Sequence, residues 1–378
     1  MKPKLRFKEF SDEWCETTLG ETTTFKQGIQ VDVDKQFSKP FDNSVRFIRI
    51  VDYTQNTKDI RYISKPATAN YVDEHDVVLV RYGATAGFVG HGIKGVIANN
   101  MFTVTPNSNI NKDFLYTILK QDKIYNKLNS SNGSSAMPAL NFGSVSILKF
   151  SYPSIDEQNK LTNLINLLDK KIELQSKKIE DLKLFKSYTK IRLFQNGDKT
   201  IKLGDILTKW NKKNKDGLID YVESISNKFG FISQSDQFED RNVASKDLKN
   251  YYVIEKNVFG YNPSRLNVGS LALKDNDNIS VVSPLYECFT TNQNNKFMLE
   301  WFDSIYFKRG TLSRFEGGVR NTLNFTNLCE IEINLPNIEL QNKYATYLST
   351  LDKKIKFEEQ KLNGLKNLKK GLMQNMFV

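Results

Sequence analysis

The stretch Pro153-Ser154-Ile155-Asp156-Glu157-Gln158-Asn159-Lys160 returns as Pro336-Asn337-Ile338-Glu339-Leu340-Gln341-Asn342-Lys343, displaced by 183 residues. The same displacement, without a gap, lays Leu168-Asp169-Lys170-Lys171-Ile172 on Leu351-Asp352-Lys353-Lys354-Ile355, Leu182-Lys183 on Leu365-Lys366, and Phe194 on Phe377. Upstream it pairs Leu140-Asn141-Phe142 with Leu323-Asn324-Phe325 and Phe114 with Phe297. Leu19-Gly20-Glu21 resembles Leu203-Gly204-Asp205 one residue out of step. A match of this length at one displacement marks an internal repeat. The chain is a tandem duplication. Between residues 22 and 110, and between 206 and 293, the copies share almost nothing, so each unit joins a divergent globular part to a repeated segment.

The repeated segment reads as a long helix with an apolar seam. Leu161, Ile165, Leu168, Ile172, Ile179 and Leu182 fall at three- and four-residue steps, interrupted by Gln175. The second copy offers Leu348, Leu351, Ile355, Leu362, Leu365, Leu372 and Met376, interrupted by Glu358. This is the a/d spacing of paired helices, in which one polar seam residue can set register. The residues expected to pair the helices are Leu168, Ile172, Ile179, Leu182, Leu351, Ile355, Leu362 and Leu365. Ser154 with Glu157 forms a capping-box pattern, Asn337 is the corresponding cap, and Asn196-Gly197 marks the first stop. At ~1.5 Å per residue, about 38 residues make a rod of roughly 57 Å.

The divergent parts are mixed. Residues 45–50, 76–82 and 96–104 read as strands and 112–128 as helix; in the second unit, 251–261 and 279–290 read as strands and 296–307 as helix. The expected fold is α+β, with two mixed α/β domains in tandem repeat joined by two long antiparallel coiled-coil helices. The expected boundaries are 1–150 for the first domain, 151–197 for the central helix, 198–332 for the second domain and 333–378 for the C-terminal helix.

Composition narrows the function. Lys and Arg number 54 against 43 Asp and Glu, a net charge of +11, which favours a polyanionic partner. Residues 169–192 and 352–370 carry eight of those net charges. They are a candidate phosphate-facing surface, although a solvated helix face or a protein contact explains them equally well. No run approaches the roughly 18 apolar residues of a membrane span, and the start lacks a signal-peptide core, so a cytoplasmic protein without membrane contact is expected. Cys15, Cys288 and Cys329 are isolated, and His75 and His91 are the only histidines. No paired spacing suggests a metal site, and none is expected.

Signs of catalysis are lacking. Gly90-His91-Gly92-Ile93-Lys94-Gly95 fits GxGxxG, but a strand-like run follows where a dinucleotide site needs a helix, so a glycine-rich hairpin is the better reading. There is no P-loop sequence. Asn262-Pro263-Ser264 lacks the aromatic-ended motif of an adenine methyltransferase, and no Pro precedes Asp as in common restriction nucleases. The two histidines have no neighbouring Ser or Cys to form a triad. No enzyme and no cofactor are expected.

Trp14 with Leu19-Gly20-Glu21, residues 76–83, Leu140-Asn141-Phe142, and the Pro153…Glu157-Gln158 turn into a Lys-rich helix together resemble the specificity subunit of type I restriction–modification systems. The resemblance covers essentially the whole chain and rests on the order and duplication of these motifs. It departs at Leu340, which stands where the first copy has Glu157. The resemblance implies two target-recognition domains held apart by two antiparallel helices, each reading half of a split double-stranded DNA site. It also implies two methyltransferase subunits flanking the helices and two motor–nuclease subunits in the restricting complex.

Base reading requires polar side chains on loops or strands that reach base edges. Three recurring places supply them. The turn after the strand at 76–80 holds Arg81, Tyr82 and Thr85, and its counterpart holds Tyr261, Asn262 and Arg265. The loop before Leu-Asn-Phe holds Ser134, Ser135 and Met137, against Arg314, Arg320 and Asn321. Lys26 and Gln27, against Trp210 and Asn211, form the third set. For any one of these, a solvated turn residue is the competing explanation. A coiled-coil scaffold or adaptor with two protein-binding domains is the competing function.

Overall fold

A computed structural model describes residues 2–55, 57–130, 139–227, 229–234, 247–312, 314 and 322–378. The chain divides into two compact units, one comprising residues 1–175 and 361–378, the other 176–360. Both cuts fall inside long helices, Ile155–Gln195 of 41 residues and Ile338–Asn375 of 38 residues. Each unit therefore contains part of both.

The seam residues face inward at the expected spacing. Leu161, Ile165, Leu168, Ile179, Leu348, Leu351 and Ile355 are buried, while Ile172, Leu182, Leu362 and Leu365 are half-buried. In the second unit Lys178 pairs with Glu358 at 2.7 Å and Lys186 with Asp352 at 2.7 Å. The partner number falls as the first helix advances, so the helices run antiparallel. Glu358, the charge that interrupts the seam, is buried and neutralised by Lys178. Beyond Leu182 the seam becomes ionic, with Lys186 and Lys190 both reaching Glu300.

In the first unit, strands β1 (Cys15–Thr18), β2 (Thr23–Gln27), β3 (Ser44–Ile48), β4 (Arg61–Ser64), β5 (Tyr71–Val72), β6 (Val77–Val80), β7 (Val89–Gly90), β8 (Gly95–Ile97), β9 (Met101–Pro106) and β10 (Lys149–Tyr152) make two four-stranded sheets, ordered β2-β9-β6-β7 and β4-β3-β8-β5, and the pair β1-β10. β6 is apolar at every position because it is covered on both faces: Val77 and Leu79 enter one core, Val78 and Val80 another.

In the second unit, β11 (Lys199–Lys202), β12 (Leu207–Lys209), β13 (Glu223–Ser226), β14 (Gly230–Ser233), β15 (Tyr252–Ile254), β16 (Phe259–Tyr261), β17 (Leu271–Leu273), β18 (Ser280–Val282), β19 (Glu287–Thr291) and β20 (Glu332–Leu335) repeat part of this plan. The sheet β12-β19-β16-β17 has the order of β2-β9-β6-β7, and β11-β20 matches β1-β10. The divergent sequences thus share a sheet. The remaining strands pair as β13-β14 and β15-β18. Gly260 lies where a Cβ would stand 2.8 Å from Ile225, so the β13-β14 hairpin closes directly on β16.

The residues retained between copies join globular part to helix. Gln158 is buried and donates to the carbonyls of Asn109 (2.9 Å) and Pro153 (2.8 Å), while accepting from the Asn111 amide at 2.9 Å. Gln341 repeats this with the Gln293 side chain, Pro336 O and the Asn294 amide. Asn111 and Asn294 each cap the helix that follows them, Lys112–Leu119 and Asn295–Phe302, and bond to Asn159 and Asn342. Phe114 packs on Phe377 in the first unit, and Phe297 on Phe194 in the second. Each domain core therefore takes the end of the other copy's helix.

Several expectations need correction. The apolar run at 96–104 is two strands, β8 and β9, in different sheets, with a turn at 98–100. The runs at 251–261 and 279–290 likewise split, the first at Asn257, whose φ is 72°. The helical stretches 112–128 and 296–307 each break into two helices, around residues 120–121 and 303–304. The glycine-rich segment 90–95 is not a hairpin, since β7 and β8 belong to different sheets; Gly92, at φ 86°, turns the chain between them. Glu157 does not close a capping box. It is buried, and both its oxygens accept from Arg6, at 2.8 and 2.7 Å. Leu340, at the matching position of the second copy, has no carboxylate to accept such a pair. Asn337 does cap its helix, accepting from the Leu340 amide at 3.1 Å. The first long helix stops at Gln195, and Gly197 is needed for close approach to the Asn334 backbone, which a Cβ would meet at 2.4 Å.

Among the described residues no helix is long and apolar enough to cross a membrane.

Candidate nucleic-acid interface

Antiparallel pairing brings the end of β2, the end of β6 and the start of β9 to one side of the first unit's sheet, with Gln27 opposite Phe102 and Val80 opposite Met101. The residues just past these ends therefore cluster. Arg81 Nη1 donates to Gln27 Oε1 at 2.8 Å, and its Nε donates to Leu140 O at 3.2 Å. Its guanidinium carbon lies 4.9 Å from the Tyr82 ring and 5.2 Å from Phe142. Gln27 Nε2 donates to Asn99 O at 2.7 Å, and Lys26 Nζ to Ala69 O at 2.9 Å. Asn99 also bonds Gln30.

Gln27 and Arg81, which sequence placed in separate sets, thus meet in one polar surface. The Leu140-Asn141-Phe142 stretch adjoins it. Ala139 bridges Tyr82, and the Leu140 amide donates to Arg81 O at 2.9 Å. Ser134, Ser135 and Met137 lie outside the described residues. Thr85 sits in the same turn, its carbonyl accepting from Phe88. Tyr82 is exposed, and Arg81 is pre-positioned by two bonds and two rings, so part of its rotamer entropy is already spent.

In the second unit the corresponding turn follows β16. Asn262 caps the short helix Pro263–Val268, accepting from Ser264 N at 3.0 Å. Arg265 is exposed on that helix. Leu323 N donates to Pro263 O, the counterpart of the Leu140–Arg81 bond. Lys209 lies 5.6 Å from the Phe325 ring, as Arg81 does over Phe142. Tyr261 is buried, and Trp210 donates to Val253 O, so neither presents its polar atom outward. Asn211 is exposed. Arg314 donates to the carbonyls of Gly310 and Glu330 at 3.0 Å each, so its charge serves helix ends. Arg320 and Asn321 lie outside the described residues.

Phe142 and Phe325 escaped the sequence reading as site residues, although their recurrence in Leu-Asn-Phe was the available signal. Asn141 and Asn324 cap the following helical turns.

The basic helices are more internally occupied than their composition implied. Lys178, Lys183, Lys186 and Lys190 pair with Glu358, Glu359, Asp352, Glu300 and Asp303. Burial would lower the Lys186 pKa, but its bonds to Asp352 and Glu300 outweigh that and raise it. Burial would raise Glu300, yet Lys190 and Lys186 together hold it below the usual carboxylate range.

Duplicated α+β units, each gathering a cation, an aromatic ring and amides at one sheet end and carried on antiparallel helices, define a modular recognition protein. The chain belongs to the type I restriction modification DNA specificity domain family, which it matches over residues 12–184 and again over 197–367. It is a non-catalytic DNA-specificity component of the type I restriction–modification class. The type I restriction enzyme MjaVIII specificity subunit of Methanocaldococcus jannaschii is 22% identical over 338 residues, covering 80% of this chain and 78% of that one. The fold is similar to a crystal structure of a type I restriction-modification S subunit from M. genitalium, with TM-score 0.63, 13% identity, and coverage of 100% and 99% of the two chains. A chain from work on complex assembly and conformational transition of the type I R-M system gives TM-score 0.59 and 13% identity, covering 96% and 97%.

Proposed function

We propose that this subunit reads a bipartite, asymmetric double-stranded DNA site, one half per domain, in the cytoplasm. It directs adenine methylation by two methyltransferase subunits and ATP-dependent restriction by two motor–nuclease subunits. The observation carrying this reading is one sheet order with different chemistry at the same end: Lys26, Gln27, Arg81, Tyr82 and Thr85 in one unit, Asn262 and Arg265 in the other. Equivalent positions with unlike donors and acceptors suit two unlike half-sites, because sequence is read through donor and acceptor patterns at base edges. Residues 1–150 and 198–332 are the two readers, and the helical segments 151–197 and 333–378 space them. With half-sites about 10 bp apart, centre to centre, the unread gap is on the order of 5–7 bp.

The test is methylome sequencing of a host expressing the chain with its methyltransferase. Exchanging residues 1–150 for a relative's domain should change one half-site and keep the gap. Adding a helical turn near Asn196 should shift the gap and keep both half-sites. A swap that altered both halves would refute the division of labour. A coiled-coil adaptor would show no salt-sensitive binding to any bipartite DNA.

A further inference from the structure

The chain's only two histidines meet on one carboxylate. His75 Nδ1 lies 3.0 Å from Asp113 Oδ1, and His91 Nε2 lies 3.2 Å from the same oxygen. They come from three separate elements of the first unit: the turn before β6, the turn after β7, and the first turn of helix Lys112–Leu119. All three donor atoms fall within 4.8 Å of one another, and among the described residues no other trio of His, Cys, Asp or Glu does so.

We propose that His75, His91 and Asp113 form a binding site for a borderline divalent cation of the zinc class, with water completing the coordination. Zinc with nitrogen and oxygen ligands at about 2.0–2.1 Å in tetrahedral geometry sets its ligand atoms roughly 3.3 Å apart. The two carboxylate–imidazole separations already match that figure, so the histidines need only close toward each other. Two imidazoles and one carboxylate suit Zn²⁺, Co²⁺ or Ni²⁺; Mg²⁺ and Ca²⁺ prefer oxygen ligands alone.

The surroundings hold these groups in place. The His91 ring stacks on Tyr116, with centroids 4.4 Å apart and planes 17° from parallel. The His75 amide donates to Asp73, and Lys112 ties Asp73 and Asp76. A cation here would staple the two turns to a helix whose cap, Asn111, is anchored by Gln158. The staple is specific to the first unit, since Lys296 occupies the position equivalent to Asp113.

The test uses the full chain, stripped with a chelator and titrated calorimetrically with ZnCl₂, with the Co²⁺ form followed by absorption. One equivalent of Zn²⁺ should bind, Mg²⁺ in large excess should not displace it, and Cys15→Ser should bind equally well. His75→Gln, at a mostly exposed side chain, should weaken binding at least tenfold while leaving the metal-free melt unchanged. His91→Asn should do the same to affinity. The wild-type Co²⁺ spectrum should lack thiolate charge transfer, a readout independent of any variant's folding. No saturable equivalent, binding unaffected by both histidine changes, or a thiolate band would each overturn the assignment.

Discussion

Replacing Gln158 with Leu keeps the side chain's bulk and removes all three of its hydrogen bonds. Asn109 is exposed, so its carbonyl can turn to water. Pro153 O and the Asn111 amide cannot do so as readily, because Pro153 is buried and Asn111 is half-buried against the long helix. Each buried group left unmet costs about 1–3 kcal/mol, so the loss should be about 2–6 kcal/mol. For a unit approaching 200 residues, each kcal/mol shifts Tm by about 2–4 °C, so a fall on the order of 10 °C is expected. The change should be confined to the first unit, since Gln341 supports the second. Calorimetry of the intact chain, with hydrogen exchange at residues 111–119 and 294–302 to localise the change, reads both quantities. A loss under about 1 kcal/mol, or equal loosening of both helix starts, would refute the idea that this glutamine fastens domain to helix.

Alanine at Arg81 or Arg265 should reduce DNA affinity. A lost base contact costs about 1–3 kcal/mol and relaxes one position, while a lost phosphate contact weakens all sequences and flattens the salt slope. Arg314→Ala should instead lower stability and leave the salt slope unchanged, since its guanidinium caps helix carbonyls; binding isotherms at several salt concentrations separate these cases. Acid should weaken the second unit through its Lys186–Lys190 cluster. Glu300 and Asp303 titrate below their ordinary values when folded, so their contribution is present above the unfolded pKa of about 4 and disappears as pH falls through the folded values. Asp352, raised by burial and by Glu300, contributes with the opposite sign. Urea melts between pH 3 and 7 should show this limb in the wild type and its reduction in Glu300→Gln; an unchanged limb would exclude the cluster.

The duplication, the long helices and the seam were legible because they are local and periodic: a displacement of 183 residues and a three-four spacing need no knowledge of contacts. The absence of catalytic motifs was legible for the same reason. Tertiary structure decided what pairs across distance. Runs such as 96–104 are continuous in hydrophobicity, yet divide between two sheets, because a strand buried on both faces has no alternation to mark where it ends. The common sheet order of two dissimilar domains is invisible to residue comparison, since a sheet asks only for apolar, strand-forming side chains that can fit its faces. The meeting of Gln27, Arg81 and Phe142 depends on antiparallel register that sets residues 54 and 61 positions apart beside one arginine. The convergence of His75, His91 and Asp113 depends likewise on three turns being folded to one corner. No spacing rule could announce it, because a ligand set drawn from separate elements exists only once the chain has folded.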